Sequence, residues 1–252
     1  MSRAVDLHIH SCYSLRDGLM TPRTVVRMAK RLGYDAVAVT DHYDYDGVLR
    51  GTFATRRLAA QEGLKAFTGT EYSVLNGHTR GHVLVYFDHP DQAPRRGLDL
   101  DGLMDHARTH GLTVVHPHPY GYAGIRDVAF MRRADYVELN GSYRHGATNQ
   151  RLLRVACEAG LEDKLVANSD AHASAQMGAA ATIVAEVHDS VADTLKTKID
   201  ARILRPHRPW GKAMKVARAT LAPFGLALNA AQIWSTARAL AALPVESPVA
   251  LA

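Results

Sequence analysis

Apolar residues along this chain fall into short strand-like runs separated by longer amphipathic stretches. Val5-Asp6-Leu7-His8-Ile9-His10 alternates apolar and polar side chains at the two-residue period of a strand. After a loop, Thr21-Pro22 reads as a helix cap with proline in the first turn, and residues 23–31 form an amphipathic helix closed by Gly33. Ala36-Val37-Ala38-Val39-Thr40 is continuously apolar, as in a strand buried on both faces. The pattern then repeats. Helices are predicted over residues 47–62, 102–110, 148–159 and 191–201, and strands over 65–70, 83–87, 112–115, 136–139, 165–168 and 181–185.

Strands that alternate with helices predict a parallel sheet with crossover helices. With about seven good strand candidates, the expected closure is a (β/α) barrel of fewer than eight units. Residues 1–204 are expected to form this domain. Residues 205–252 read as an appendage: a basic linker, Arg205-Pro206-His207-Arg208-Pro209, then a basic helix over 212–221 and an Ala-rich helix over 229–243. The expected place for these helices is packed on the barrel.

At 252 residues with 47% hydrophobic content, the chain can fill one large core. A formal net charge of +5 favours an anionic partner. Two cysteines, Cys12 and Cys157, are too few for a disulfide framework and point to a reducing cytoplasm. The N-terminus has no secretory signal pattern. The one long uncharged stretch, residues 219–237, is broken by Pro223, Gly225, Asn229 and Gln232, so no transmembrane span is expected.

The 14 histidines change the picture more than the charge does. His8 and His10 share one side of a strand, and further metal-ligand residue types follow one strand end after another. The candidate ligands are His8, His10, Asp17, His42, Glu71, His82, His116, Asp170 and His172. One ion needs about four to six donors, so this set implies two or three divalent ions with shared ligands. Imidazole with carboxylate suits manganese, zinc or iron. Asp6 and Asp41 are expected to orient imidazoles or hold loops, and Glu138 or Asn140 to orient ligands or substrate.

The order His-x-His, Asp17-Gly18, Thr40-Asp41-His42, Gly69-Thr70-Glu71, Gly81-His82, His116-Pro117 and Asn168-Ser169-Asp170-Ala171-His172 resembles the PHP family, named for polymerase and histidinol phosphatase. The similarity covers roughly residues 5–185. The resemblance implies a distorted (β/α)7 TIM-like barrel with a trinuclear metal centre at its C-terminal face, and hydrolysis of phosphate esters. It makes His8 and His10 ligands of one ion, with Asp17 and His42 serving another, Glu71 bridging, His82 and His116 completing the cluster, Asp170 sharing the first site and His172 closing the last.

A hydroxide bridging two ions would attack phosphorus, with no amino-acid nucleophile. His172, His118 and His145 are candidates to protonate the leaving group, and Arg16, Arg126 and Arg144 to hold phosphate oxygens. The leading expectation is a metal-dependent phosphoesterase acting on a small phosphorylated metabolite or nucleotide. A nuclease acting on short oligonucleotides is the nearest variant, an amidohydrolase-type metalloenzyme the second class, and a non-catalytic metal-stabilised module the third.

Overall fold

A computed structural model of the protein describes residues 2–15, 17–76, 79–142 and 146–204. The chain runs β1 (Arg3–Ile9), α1 (Pro22–Leu32), β2 (Ala36–Val39), α2 (Leu49–Gln61), β3 (Lys65–Asn76), β4 (Thr79–Tyr86), α3 (Leu100–Thr109), β5 (Thr113–His116), α4 (Val128–Arg133), β6 (Tyr136–Asn140), α5 (Gly146–Ala159), β7 (Leu165–Asn168), β8 (Ala180–Val184), α6 (Val191–Lys196) and β9 (Lys198–Ile203). Local signals account for the first crossover. The Thr21 hydroxyl caps α1 by accepting from Thr24 N at 3.1 Å, and Gly33 takes the left-handed conformation that ends it.

The nine strands form one sheet in the order β7-β6-β5-β4-β3-β2-β1-β8-β9. β1, β2 and β3 are mutually parallel, as are β5, β6 and β7. The sheet curls until β7 meets β8 and β1. Thr182 Oγ1 accepts from Ala167 N at 2.9 Å and donates to Ala167 O at 3.0 Å, while Asn168 Oδ1 accepts from Leu7 N at 2.9 Å. The result is the α/β fold of a distorted, nearly closed TIM-like barrel.

The expected all-parallel sheet is therefore modified around β4 and again at β8 and β9, with β8 antiparallel to β1. β3 runs past Glu71 to Asn76 and turns straight into β4 without a crossover helix, so that pair is antiparallel, and β4 meets β5 antiparallel in turn. At the other edge α6 stops at Lys196, and the alternating Lys198-Ile199-Asp200-Ala201-Arg202-Ile203 forms an antiparallel edge strand where a continuing helix was expected. α4 is an additional short helix that the sequence pattern did not reveal.

Strand parity decides what fills the barrel. Val5, Leu7, Ala36, Ala38, Phe67, Leu84, Tyr86, Val115 and Val166 pack into one interior cluster. The intervening positions, such as Val37 and Val39 on β2, pack outward against Val25, Val26 and Ala29 of α1. β1 carries one extra residue relative to β2 between Asp6 and Ile9. This bulge switches the parity of the strand, as bulges beside functional sites commonly do, so that Leu7 fills the core and His8 still faces inward above it. The predicted linker and helices of 205–252, and the uncharged stretch within them, lie outside the described residues. Among the described residues no helix is long and apolar enough to cross a membrane.

Candidate metal centre

Nine imidazole and carboxylate side chains converge at one end of the barrel, on β1, β3 and β4 and on the loops that follow β1, β2, β5 and β7: His8, His10, Asp17, His42, Glu71, His82, His118, Asp170 and His172. Their donor atoms form four overlapping groups, His10-Asp17-His42-His172, His8-Glu71-His118, His8-His10-Asp170 and His42-Glu71-His82, each within 4.8 Å. Glu71 lies at the centre. Its Oε1 is 2.9 Å from His82 Nδ1 and 3.1 Å from His118 Nε2; its Oε2 is 3.0 Å from His42 Nδ1, 3.3 Å from His10 Nε2 and 3.6 Å from His8 Nε2. Asp170 Oδ1 faces both His8 Nε2, at 3.5 Å, and His10 Nε2, at 3.3 Å. Asp17 Oδ2 faces His42 Nε2 at 3.3 Å and His172 Nε2 at 3.4 Å.

The side chains behind these donors fix their orientation. His8 Nδ1 lies 2.8 Å from Glu138 Oε2, fully buried, and Glu138 in turn accepts from Asn140 Nδ2 at 2.9 Å and Asn168 Nδ2 at 3.0 Å. His10 Nδ1 lies 3.0 Å from Ser14 Oγ, which also accepts from the backbone of His42 at 3.0 Å. With Nδ1–H donated outward in both rings, each Nε2 turns its lone pair into the centre. The two Nε2 atoms are 3.2 Å apart.

Asp41 supports the same loops from the other side. It accepts from Ser11 N and Ser11 Oγ, both at 2.6 Å, so it holds a loop and binds no imidazole. Asp6 likewise accepts from Ser169 N at 3.0 Å. Two glycines are required by this crowding. A Cβ on Gly51 would lie 2.3 Å from Asp41 Oδ2, and one on Gly18 would lie 1.7 Å from Ser11 O, which accounts for the glycine after Asp17.

Charge balance shows what the cluster needs. Burial alone would raise the Glu71 pKa, but the fields of His82, His42 and His8 outweigh it and hold the carboxyl well below its usual range. Burial works against protonating His8, yet Glu138, Asp170 and Glu71 raise its pKa well above the ordinary value. His42 is raised in the same way by Glu71 and Asp17. The side chains thus attract positive charge into a buried space.

They also leave buried atoms without hydrogen bonds. His82 Nδ1 is close to Glu71 Oε1 but off the angle of a hydrogen bond, and Asp17 Oδ1 has no partner. Lone pairs aimed at one another around a shared carboxylate fit divalent cations, and a donor set of nitrogen and oxygen without sulfur fits the expected manganese, zinc or iron.

Of the residues singled out from sequence, His8, His10, Asp17, His42, Glu71, His82, Asp170 and His172 are brought together. His116 is not. It shares the outward parity of Val114, packs with its ring centroid 4.3 Å from that of Phe130, and finds no hydrogen-bond partner for either ring nitrogen. Burial, with His118 nearby, pushes its pKa down to about 3.

His118, expected to act on substrate, takes the place in the cluster instead. The turn that carries it inward has a positive φ of 29° at His118, and Asp170 has a φ of 51°. Left-handed backbone at two non-glycine donor residues is strain of the kind concentrated at functional sites. Arg16, Arg144 and His145 lie outside the described residues; Arg126 is exposed on the loop after β5. Ser14 and Asn168 were missed as orienting groups. Their signal was their position inside the His-x-His loop and the Asn-Ser-Asp-Ala-His motif.

A nearly closed α/β barrel that gathers nine nitrogen and oxygen donors at one end defines the class of barrels built to hold metal ions. Within it the chain belongs to the PHP family: the family's PHP domain matches residues 6–242. An uncharacterized protein of Methanocaldococcus jannaschii is 29% identical over 156 residues, 57% of this chain and 85% of that protein. The DNA polymerase III subunit alpha of Treponema pallidum is 43% identical over 70 residues, 28% of this chain but only 6% of its own length. Among solved structures, PsfC from Pseudomonas syringae superposes with a TM-score of 0.64 at 21% identity, covering 88% of this chain and 98% of that one. A two-domain Bacteroides vulgatus protein containing a predicted PHP-like metal-dependent phosphoesterase superposes with a TM-score of 0.58 at 19% identity, covering 78% of this chain and 62% of that one.

Proposed function

We propose that this chain is a metal-dependent phosphoesterase that hydrolyses a phosphate ester of a small phosphorylated metabolite or nucleotide. Two or three divalent ions would be held by His8, His10, Asp17, His42, Glu71, His82, His118, Asp170 and His172. The observation that carries the reading is Glu71, whose two oxygens face two separate sets of imidazole nitrogens across one buried carboxylate. A carboxylate so placed can be shared between cations. When bound, such ions supply Lewis-acid activation of phosphoryl oxygens and of water.

The chain's own residues do the rest. Glu138 and Ser14 keep the protons of His8 and His10 on Nδ1, away from the centre. His172 Nδ1 lies 2.9 Å from Asp170 O, so Nδ1–H donates there and Nε2 faces Asp17. His172 is then a cluster donor, and the leaving group takes its proton from water. The partly exposed side of the site, where His42, His82 and His172 reach solvent, is the side on which an anionic substrate enters. The free thiols Cys12 and Cys157 fit a cytoplasmic setting.

The test is turnover of p-nitrophenyl phosphate with manganese, zinc or iron supplied, by the wild type and by His10→Ala and Glu71→Ala. The expected result is metal-dependent release of nitrophenol that both substitutions abolish. Activity retained in either variant, or hydrolysis of a nitroanilide amide with none of the phosphate ester, would overturn the reading.

A further inference from the structure

We infer that Arg80 is a substrate-binding residue that seats a second phosphate, one remote from the phosphorus under attack. The inference rests on the phosphoesterase reading for the place of the reaction, but its argument comes from the β3–β4 hairpin. In that hairpin Glu71 is paired with Leu84, Ser73 with His82, and Leu75 with Arg80. Directly opposed residues, and residues two apart on one strand, share a face of the sheet. Glu71, Ser73, Leu75, Arg80, His82 and Leu84 therefore line one face, with Leu84 in the barrel interior and Glu71 and His82 in the cluster. Arg80 continues that face one step beyond His82. At a rise of about 3.3 to 3.4 Å per residue, its Cα lies about 7 Å further out.

The two faces of the hairpin differ sharply. Tyr72, Val74, Val83 and Val85 are buried against Leu100, Leu103 and Ala107 of α3, which anchors the hairpin to the barrel wall. On the opposite face Ser73 and Arg80 are exposed, and Leu75 is 55% exposed. A buried outer face with an open inner face makes the hairpin a wall of the mouth above the cluster. The loop after β5 supports β4 along its other edge. His82 N donates to Ala123 O at 2.9 Å, and a Cβ on Gly81 would lie 2.1 Å from the Ile125 side chain. Arg80 thus extends from a backbone held on both edges.

Five other arginines of the described residues are committed elsewhere. Arg3 pairs with Asp35, Arg108 with Asp105, Arg133 with Asp101 and Arg202 with Asp200, while Arg151 lies over the Tyr120 ring. Arg80 has no acidic partner within ion-pair distance among the described residues, although it stands beside a cluster dense in carboxylates. A guanidinium presents a planar fork of donors matched to a phosphate, and one left unpaired on the wall of an anion-hydrolysing site keeps that fork available. The substrate class that follows is a molecule with two phosphate groups, one at the cluster and one further out along the wall at Arg80.

The experiment compares wild-type protein, Arg80→Ala and Arg80→Lys, each metal-loaded, on p-nitrophenyl phosphate, a hexose 1,6-bisphosphate and a 5′-phosphorylated thymidine dinucleotide. The ratio of kcat/KM for a two-phosphate substrate to that for p-nitrophenyl phosphate should fall about tenfold or more in Arg80→Ala, with the loss in KM, and recover in part in Arg80→Lys. Whichever two-phosphate substrate shows the fall identifies the source of the second phosphate, sugar or phosphodiester chain. An equal change on all three substrates, or none, overturns the assignment. Calorimetric titration with a dinucleotide carrying a phosphorothioate link separates the two readings. Arg80-dependent binding without turnover of any ester would remove the hydrolytic reading and leave the phosphate seat. Turnover with unaltered binding in Arg80→Ala would do the reverse.

Discussion

Glu138 offers the sharpest test of how the cluster is built, because it touches no substrate and yet should control metal binding. It accepts from His8 Nδ1 at 2.8 Å, Asn140 Nδ2 at 2.9 Å and Asn168 Nδ2 at 3.0 Å, with its side chain fully buried. Both asparagines have their amide orientation set elsewhere: Asn168 Oδ1 accepts from Leu7 N, and Asn140 Oδ1 accepts from Ser142 N. A glutamine at 138 keeps the shape but turns an amide NH2 toward donors that cannot rotate to accept from it. Losing one buried acceptor in this way costs about 1–3 kcal/mol of stability. Even with its oxygen kept toward His8 Nδ1, the neutral amide is a weaker acceptor than the carboxylate, and weakening the partner that orients a ligand histidine lowers metal affinity, by up to about 10- to 100-fold or roughly 1.4–2.7 kcal/mol. The loss must depend on pH. Glu138 is foremost among the groups that raise the His8 pKa against the effect of burial, so in wild-type protein an incoming metal ion displaces a proton that Glu138 helps to hold. Glu138→Gln relieves that competition. Competition with a chromogenic chelator should therefore show the full deficit near pH 8 and a narrower one near pH 6. Wild-type affinity near pH 8, or a deficit that widens as the pH falls, would refute the orienting role.

Four further outcomes follow from the same geometry. Glu71→Gln should reduce the bound metal, measured by elemental analysis, from more than one ion per chain to one or none, since its two oxygens face separate donor sets. His116→Phe should keep metal binding while His118→Ala loses at least tenfold in affinity, because His116 packs on Phe130 and His118 faces Glu71; the reverse order would restore His116 as a ligand. Gly51→Ala should lower the stability measured in urea by about 1–3 kcal/mol, because its Cβ would sit 2.3 Å from Asp41 Oδ2. In chelator-treated protein, His8 and His42 have raised pKa values, so their contribution to stability is complete below the ordinary histidine pKa of 6.5 and is lost as pH rises through the raised values. Glu71 and Asp170 are lowered, so theirs is present above the ordinary carboxylate range and lost in acid. Thermal melts should accordingly show the Tm of the chelated protein falling from pH 6.5 toward 9, with saturating metal flattening that limb.

The alternation of strands and helices was legible because crossover helices leave a long amphipathic signature, and so was the habit of strand ends to carry donors. The antiparallel hairpin was harder to read. Residues 71–76 mix Glu71, Ser73 and Asn76 with apolar neighbours, and the only sign that β3 continues is that Tyr72 and Val74 keep the strand period on the face buried under α3. β9 was missed for a different reason: Lys198 to Ile203 alternates strictly, but it follows α6 with no glycine or proline between them and so reads as a continuation of the helix.

What the sequence could not carry was inside against outside. His8 and His10 face the centre because a bulge between Asp6 and Ile9 shifts the parity of β1; without it the residue after Leu7 would point toward the helices. His116 fails to reach the centre because β5 has no such bulge, and Val114 and His116 both point outward while Val115 fills the barrel. A run such as Thr113-Val114-Val115-His116 is apolar on both faces, so composition cannot assign its parity. His118 recovers the lost donor only because its backbone enters the left-handed region after Pro117. The identity of the donors is thus a matter of residue type, but the entry of His8, His10, His118 and Asp170 into the cluster goes with local departures from regular geometry, the β1 bulge and left-handed backbone at His118 and Asp170.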